Sequence, residues 1–153
     1  MYRKILVPLD GSDPSKNALE HAVGIAESFG AEISLLAVVS RVMIPIFPDE
    51  GFGAAPMTAA KDMAQYQEKM KVIYQNVLDD AERELNTEHP DLKVVKILKE
   101  GRPSSTIVET AESDSYDLIV MGSRGIGGIT GWILGSTSRR VVDSCTKPIL
   151  IVK

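Results

Sequence analysis

A glycine-dense loop near the C-terminal end of the chain has the composition and position of a phosphate-binding site. It runs from Gly122 to Ser136, after the apolar run 118–121 and before a predicted helix at 137–144. Glycine has no Cβ, so its amide can approach an anion closely and adopt a positive φ without steric cost. Amides at a helix N-terminus add an oriented positive dipole, and the Ser136 hydroxyl can either cap the helix or donate to a phosphate oxygen.

The spacing of this loop differs from the two commonest nucleotide motifs. A P-loop requires a lysine after its last glycine, and Gly135 is followed by Ser136. The dinucleotide fingerprint belongs to the first turn between a strand and a helix, whereas this loop lies near the C-terminus. Since a lone glycine cluster is more often a flexible connection, its interpretation depends on the elements around it.

Alternating apolar runs and amphipathic segments predict five strands and four helices. Asp13 is expected to cap the first helix, with Pro14 at its first position and Gly30 at its end. Such alternation is typical of a parallel sheet with helices on both faces. The predicted strands are 4–9, 33–39, 92–98, 118–121 and 148–152, and the predicted helices are 14–29, 58–86, 103–114 and 137–144, with a linker at 40–57.

The expected fold class is α/β, an open doubly wound five-stranded parallel sheet of order 3-2-1-4-5, forming a single Rossmann-like domain over residues 1–153. In such sheets the ligand lies beyond the carboxyl ends of the strands, where the strand order reverses. That point falls between strands one and four. These strands are followed by Asp10-Gly11-Ser12 and by residues 122–125, so two independent features predict one crevice.

Composition favours an ordinary globular protein and argues against several classes of partner. The 153 residues are 44% hydrophobic and 25% charged, and the formal charge of −4 with no long basic run argues against nucleic acid. The N-terminus lacks the apolar core of a signal peptide, and no apolar segment is long enough to span a bilayer. The single cysteine, Cys145, favours a reducing compartment. We therefore expect a cytoplasmic protein that binds neither membranes nor nucleic acid.

Other chemically capable residues have structural interpretations. His21 and His89 have no partner at metal-ligand or triad spacing, which favours surface or packing roles. Cys145 follows an apolar helical face, which favours a buried, inert thiol over a nucleophile. Trp132 either packs the loop down or forms part of a partner surface. Taken alone, Asp10 is as consistent with a turn former as with a ligand contact.

At these positions the chain resembles the universal stress protein family, specifically its ATP-binding branch. The family's nucleotide motif is G-x2-G-x9-G-[ST], and Gly122, Gly125, Gly135 and Ser136 match it with both spacings intact. The resemblance covers nearly the whole chain, through the segments 4–12, 101–103, 117–123 and 147–152. Only the linker and the start of the long helix do not resemble family segments.

The resemblance implies an adenine nucleotide site in the predicted crevice. Asp10 would accept a hydrogen bond from a ribose hydroxyl, and Val38 would bond adenine through its backbone. Mg²⁺ or Mn²⁺ would bridge the phosphate oxygens, although the sequence has no acidic cluster dedicated to a metal. The implied ATP-binding residues are Pro8, Leu9, Asp10, Val38, Met121, Gly122, Arg124, Gly125, Gly135, Ser136 and Thr137.

The implied function is regulatory: an ATP-binding stress-response homodimer that couples nucleotide occupancy to the conformation or to the partner choice of the dimer. The last strand would be an unpaired edge in a monomer, and the resemblance implies that two copies join along it. Gly135→Val is expected to abolish nucleotide binding and leave the fold intact.

Efficient catalysis is not expected, and no catalytic residue is assigned. Fast phosphoryl transfer needs a positioned base, a well-held metal and a cation on the developing charge. The loop supplies amides, hydroxyls and at most Arg124. Two alternatives stay open: a slow ATPase or phosphotransferase, and an interaction module that binds AMP or ADP in place of ATP or binds no nucleotide.

Overall fold

Strands and helices alternate along the chain in the predicted sequence. The computed structural model describes residues 1–41, 55–126 and 134–153, without the side chains of residues 55–58. The described strands are β1 (Lys4–Pro8), β2 (Glu32–Val39), β3 (Val94–Glu100), β4 (Leu118–Gly122) and β5 (Ile149–Val152), and the described helices are α1 (Asp13–Phe29), α2 (Ala55–Glu88), α3 (Pro103–Ser113) and α4 (Ser136–Ser144). Neighbouring strands are parallel, and their order β3-β2-β1-β4-β5 confirms the doubly wound fold.

The central strands are buried on both faces because helices cover both sides of the sheet. Ile5 and Val7 of β1 belong to an apolar cluster shared with α1 and α2. Leu6, which lies between them, belongs to a second cluster shared with α3 and α4. Successive side chains of a strand point to opposite faces, so a strand in this position needs apolar residues throughout. This explains the unbroken apolar runs in the sequence.

The first helix begins differently from the prediction. Ser12, and not Asp13, is the N-cap of α1, with extended backbone at φ −74° and ψ 157°, and its side chain accepts from the Ser15 N–H. Asp13 is the first helical residue and lies in the first turn, where a negative charge suits the helix dipole. The end of the helix is as predicted, because Gly30 adopts the left-handed conformation with φ 65°.

The boundaries of α2 and β3 also lie away from their predicted positions. The helix α2 begins at Ala55, inside the segment 40–57 that we predict as a linker, and residues 42–54 of that segment lie outside the described residues. The strand β3 begins at Val94 because the Leu92 N–H donates to the His89 carbonyl in a turn. It continues beyond the last apolar residue because pairing with β2 extends to Glu100.

The carboxylate of Asp117 ties the start of β4 to the start of the chain. Its Oδ2 accepts the backbone N–H of Arg3 at 2.8 Å and of Lys4 at 3.0 Å. These two bonds hold the pKa of Asp117 below its ordinary value. A carboxyl group whose pKa is lowered by folding stabilises the folded state above its unfolded pKa of about 4, and this stabilisation is lost as the pH falls through the folded pKa.

We therefore expect Asp117→Asn to lower the free energy of unfolding by about 1 kcal/mol at neutral pH. The difference from the wild type should shrink as the pH is lowered below about 4, because the wild-type carboxyl then becomes protonated as well. Urea titrations of both proteins across this pH range measure the difference in their free energies of unfolding. An equally large difference at every pH would show that the charge of Asp117 is not what stabilises the fold.

Candidate functional site

A cavity of about 270 Å³ opens at the carboxyl ends of β1 and β4, where the strand order reverses. Its lining includes every residue predicted for the crevice: Pro8, Leu9, Asp10, Val38, Met121, Gly122, Arg124, Gly125, Gly135, Ser136 and Thr137. Seven further described residues, which the sequence analysis did not assign to the site, also line the cavity: Ser15, Leu36, Tyr74, Pro103, Ile107, Ile126 and Ser138.

Asp10 connects the two loops that form the mouth of this cavity. Its Oδ1 accepts from both the N–H and the hydroxyl of Ser12, at 3.0 and 2.5 Å, which orders the turn between β1 and α1. Its Oδ2 accepts the N–H of Ile126 at 3.1 Å, from the loop after β4. Asp10 therefore acts both as a turn former and as a side chain of the cavity, and the two loops meet as predicted.

A Cβ at Gly122 and a Cβ at Gly125 would meet different kinds of neighbour. A Cβ on Gly122 would lie 2.7 and 2.8 Å from the backbone carbon and oxygen of Pro14, so glycine lets α1 pack directly on the end of β4. A Cβ on Gly125 would lie 2.5 Å from Oδ2 of Asp10. The first neighbour is backbone and cannot move away, whereas the second is the end of a side chain.

The N-terminus of α4 presents open amides to the cavity. Gly135 is the N-cap, and among the described residues no side chain caps the helix. The first backbone bond of the helix runs from the Arg139 N–H to the Gly135 carbonyl. The three residues between them, Ser136, Thr137 and Ser138, all line the cavity. Unpaired N–H groups at the positive end of a helix dipole form an anion-binding site.

Hydrogen bonds fix this helix end against the loop after β4. The carbonyl of Ser123 accepts the Gly135 N–H at 2.8 Å and the Ser138 hydroxyl at 2.7 Å. The Ser123 N–H in turn donates to the carbonyl of Val152 at 2.7 Å. Ser136 is the first helical residue and does not cap the helix, so its hydroxyl is not used as a cap. Contacts within the protein thus hold the start of α4 in place.

The opposite end of the cavity offers a backbone edge within an apolar pocket. The pairing of β1 with β2 ends at Pro8 and Leu36, where the Leu9 N–H donates to the Leu36 carbonyl at 2.8 Å. Val38 lies two residues further along β2, so its N–H and C=O point to the same side as those of Leu36. Strand β1 no longer runs beside it, and Val38 lines the cavity.

Apolar side chains from three elements surround this edge. Leu36 of β2, Ile107 of α3 and Met121 of β4 are at most 5% exposed and line the cavity. The spacing of two between Leu36 and Val38 could have assigned Leu36 to the site from the sequence. Nothing in the pattern of α3 distinguishes Ile107 from an ordinary core residue.

Tyr74 of α2 brings a phenol to the cavity from a helix that the sequence places far from the loops. Burial, and after it the negative charge of Asp10, raise the pKa of Tyr74 above its ordinary value. The side chain is therefore a neutral hydrogen-bonding group near the carboxylate.

The histidines and the cysteine lie away from this cavity. The His21 ring contacts the carbonyl of Asn17 at 2.9 Å, and the His89 ring contacts Glu27 at 2.6 Å. Cys145 is half-buried, and burial raises the pKa of its thiol, which disfavours the nucleophilic thiolate. Trp132 lies outside the described residues.

Two general features of the described ranges bear on function. They contain no group of three His, Cys, Asp or Glu side chains that could hold a metal ion. None of the helices in these ranges is long and apolar enough to cross a bilayer.

We expect Gly125→Ala to lower the free energy of unfolding by about 1 kcal/mol, because the Asp10 side chain can turn away from the new methyl group at the cost of its bond to Ile126. Gly24 provides a matched control, since it lies within α1 and a Cβ there meets nothing within 4 Å. Gly24→Ala should stabilise the protein by up to about 1 kcal/mol. Urea titration measures both. A loss above about 3 kcal/mol in Gly125→Ala would contradict this geometry.

Fold and site together define a doubly wound α/β protein with a crevice suited to an anion at its topological switch point. The profile of the universal stress protein family matches residues 1–153, and the chain belongs to this family.

Individual relatives match over nearly the full chain. The protein is 35% identical to universal stress protein MJ0531 of Methanocaldococcus jannaschii over 153 residues, covering 100% of this chain and 83% of that protein. The solved structure of MJ0577, from the same organism, superposes with a TM-score of 0.80 at 28% identity, covering 100% of this chain and 96% of that one. A universal stress protein in complex with cAMP superposes with a TM-score of 0.63 at 25% identity, covering 99% and 96%.

Proposed function

We propose that this protein binds ATP in the crevice and that nucleotide occupancy regulates its interaction with a protein partner in a cytoplasmic stress response. The observation that carries the proposal is the meeting, in one cavity, of a helix N-terminus that no described side chain caps, a carboxylate, and a backbone edge that no described strand pairs with. These three features lie in the order in which a nucleotide presents phosphates, ribose and base. A relative in the same family is known in complex with cAMP, which supports an adenine nucleotide as the ligand.

The phosphates would lie at the start of α4. The N–H groups of Ser136, Thr137 and Ser138 and the first two hydroxyls would donate to phosphate oxygens. Arg124 is the one cationic side chain of the described lining and would approach the same group. Mg²⁺ or Mn²⁺ would be held mainly by the phosphates themselves, since the one carboxylate in the described lining is Asp10.

The base would lie against Val38, with ribose beside Asp10. The C6 amino group of adenine donates and its N1 accepts, which matches one backbone C=O and one N–H of Val38. The surrounding side chains of Leu36, Ile107 and Met121 would contact its faces. Guanine presents an acceptor and a donor in the reverse order, so the same edge would disfavour it.

Hydrolysis would be slow at most. The described lining combines one carboxylate with one arginine and no lysine, so it lacks a separate base, metal ligand and cation for the transition state. A slow ATPase or phosphotransferase remains the second candidate for the same site. Phosphate release that depends on a divalent ion and disappears in Asp10→Ala would favour it.

The assembly would be a homodimer joined along β5. This strand pairs with β4 on one side and is at the edge of the described sheet. Its residues Ile149, Leu150 and Ile151 are only half-buried in the single chain. Pairing with a second copy would provide hydrogen-bond partners for the backbone N–H and C=O groups of this edge. Sedimentation velocity distinguishes a dimer from a monomer.

Gly135→Val tests the placement of the phosphates. A Cβ at Gly135 would lie 3.4 Å from both the Arg124 Cα and the Ser123 carbonyl oxygen, and the two methyl groups of valine would press the loop away from the helix end. We expect ATP affinity, measured by calorimetry, to fall by about 30-fold or more. Gly24→Val is the matched control and should bind as the wild type does. If Gly135→Val and the wild type bound ATP with equal affinity, the phosphates could not lie at this position.

A further inference from the structure

A second groove lies between α1 and α2, on the face of the sheet that these helices cover. It has a volume of about 600 Å³. Its apolar residues include Leu19 and Val23 of α1 and Ala81 and Leu85 of α2, of which Leu19, Val23 and Leu85 are at most 9% exposed. We refer to it as the α1–α2 groove. It shares Leu9 and Ser15 with the lining of the cavity described above, but it includes no residue from the start of α4.

Carboxylates form both rims of the α1–α2 groove. Glu20 and Glu27 lie on α1, and Asp80, Glu84 and Glu88 follow one another at intervals of one turn on α2. Among the described residues of the lining, Lys16 is the one basic residue other than His89. Five carboxylates and one lysine give a formal charge of −4, which equals that of the whole chain. The remaining residues of the chain therefore carry no net formal charge.

Three of these carboxylates have no ion-pair partner among the described residues. Glu20, Glu84 and Glu88 form no ion pair with any described residue, whereas Asp80 pairs with Arg83 and Glu27 with His89. Like charges four residues apart destabilise a helix. Glu84 and Glu88 also lie near the negative end of the α2 dipole, and the last turn of α2 contains no basic residue.

A glycine inside α1 keeps the groove open. Gly24 lies in the interior of the helix and lines the groove, and a Cβ there would meet nothing within 4 Å. Glycine in a helix interior costs about 1 kcal/mol relative to alanine. Neither packing nor backbone geometry requires it, since its φ is that of an ordinary helix. A large side chain at this position would narrow the groove.

We propose that the α1–α2 groove binds a basic amphipathic helix of a partner protein. Lysine or arginine side chains of that helix would pair with the two acidic rims, and its apolar face would lie over the floor between them. From Lys16 to Glu27 the groove wall is about 16 Å long, which corresponds to three turns of a bound helix. Recognition of this kind combines apolar anchors with complementary charge. The proposal does not depend on nucleotide binding.

The test is the binding of a fluorescein-labelled peptide of about 14 residues, built from lysine and leucine with leucines at helical spacing, to the full chain. Fluorescence anisotropy at low ionic strength should give a dissociation constant in the micromolar range. A peptide with the same composition in scrambled order, and one with glutamate in place of lysine, should bind at least about 10-fold more weakly. Equal binding by the scrambled peptide, or no binding by any of them, overturns the proposal.

Two variants of the α1–α2 groove test whether the peptide binds there. Glu20→Gln with Glu84→Gln should weaken binding about 10-fold, and Gly24→Leu, which fills the groove, should do the same. The matched control is Glu109→Gln with Asp143→Asn, which removes the same charge from exposed positions of α3 and α4. Equal weakening by the control pair would show that only net charge matters and would overturn the proposal.

Circular dichroism checks that all of these variants are folded, and we expect Gly24→Leu to be at least as stable as the wild type. Sedimentation of the peptide-free variants examines the competing occupant, a second copy of this chain. A change of oligomeric state in the groove variants would assign the groove to an interface between copies and would also overturn the proposal.

Discussion

Replacing Gly122 with alanine is expected to lower the free energy of unfolding by about 3 kcal/mol. The added methyl group would lie 2.7 to 2.9 Å from three atoms of Pro14, two of which belong to the backbone. Pro14 is held in the first turn of α1, and Gly122 is buried at the end of β4, so neither side can move without separating helix and strand. A clash with backbone atoms cannot be relieved by rotating a side chain, so the strain remains in the folded state.

Urea titration of Gly122→Ala beside Gly125→Ala and Gly24→Ala measures this effect. The three substitutions add the same methyl group, and the expected order of stability is Gly24→Ala above the wild type, Gly125→Ala slightly below it, and Gly122→Ala far below it. If Gly122→Ala were as stable as Gly125→Ala, the close contact between α1 and β4 would not exist as described.

Replacing Asp10 with alanine is expected to weaken ATP binding by about 30-fold. In the proposed complex the carboxylate accepts from a ribose hydroxyl, and a hydrogen bond to a charged group contributes about 1.5–3 kcal/mol. The substitution also removes the acceptor for the Ile126 N–H and for Ser12, so both loops at the mouth of the cavity lose their connection. Calorimetric titration of ATP into the purified variant measures the loss.

Asp13→Ala is the matched control for this experiment. Asp13 is an exposed carboxylate three residues away, at the start of α1, and it does not line the cavity. It should alter ATP affinity by less than about two-fold. Unchanged affinity in Asp10→Ala, or an equal loss in both variants, would contradict the assignment of Asp10 to the ribose.

The sequence predicts the fold well because the patterns that indicate strands and helices are long and recur several times. Apolar runs flanked by amphipathic segments recur along the chain, and their alternation leaves few topologies open. The boundaries are less well predicted where polar residues continue an element. Lys99 and Glu100 extend β3 because of pairing with β2, a contact that hydrophobic patterning does not contain.

The cavity is predictable to the extent that its residues lie at strand ends. Asp10 and Gly125 are 115 positions apart, yet the strand order alone brings their loops together. Tyr74 could not be predicted in the same way, because its position depends on how α2 packs across the sheet. The same holds for Ser15 and Ile107, which are side chains of helices that have their own core-facing stripes.

The reasons for the glycines also required the structure. Gly122 makes room for the backbone of Pro14, and Gly125 makes room for the carboxylate of Asp10. Both act on the site indirectly, by allowing the elements that form its walls to approach one another. The α1–α2 groove could not be predicted from the sequence either, because its two rims come from helices that are distant along the chain.

Calorimetric titration of nucleotide-free protein with ATP and, separately, with GTP in the presence of Mg²⁺ tests the central claim most directly. We expect ATP to bind one site per chain with a dissociation constant in the micromolar range or below, and GTP to bind at least about 10-fold more weakly, because the Val38 edge matches adenine. Equal affinity for the two would contradict the placement of the base. No detectable binding of either nucleotide would contradict the proposed function itself.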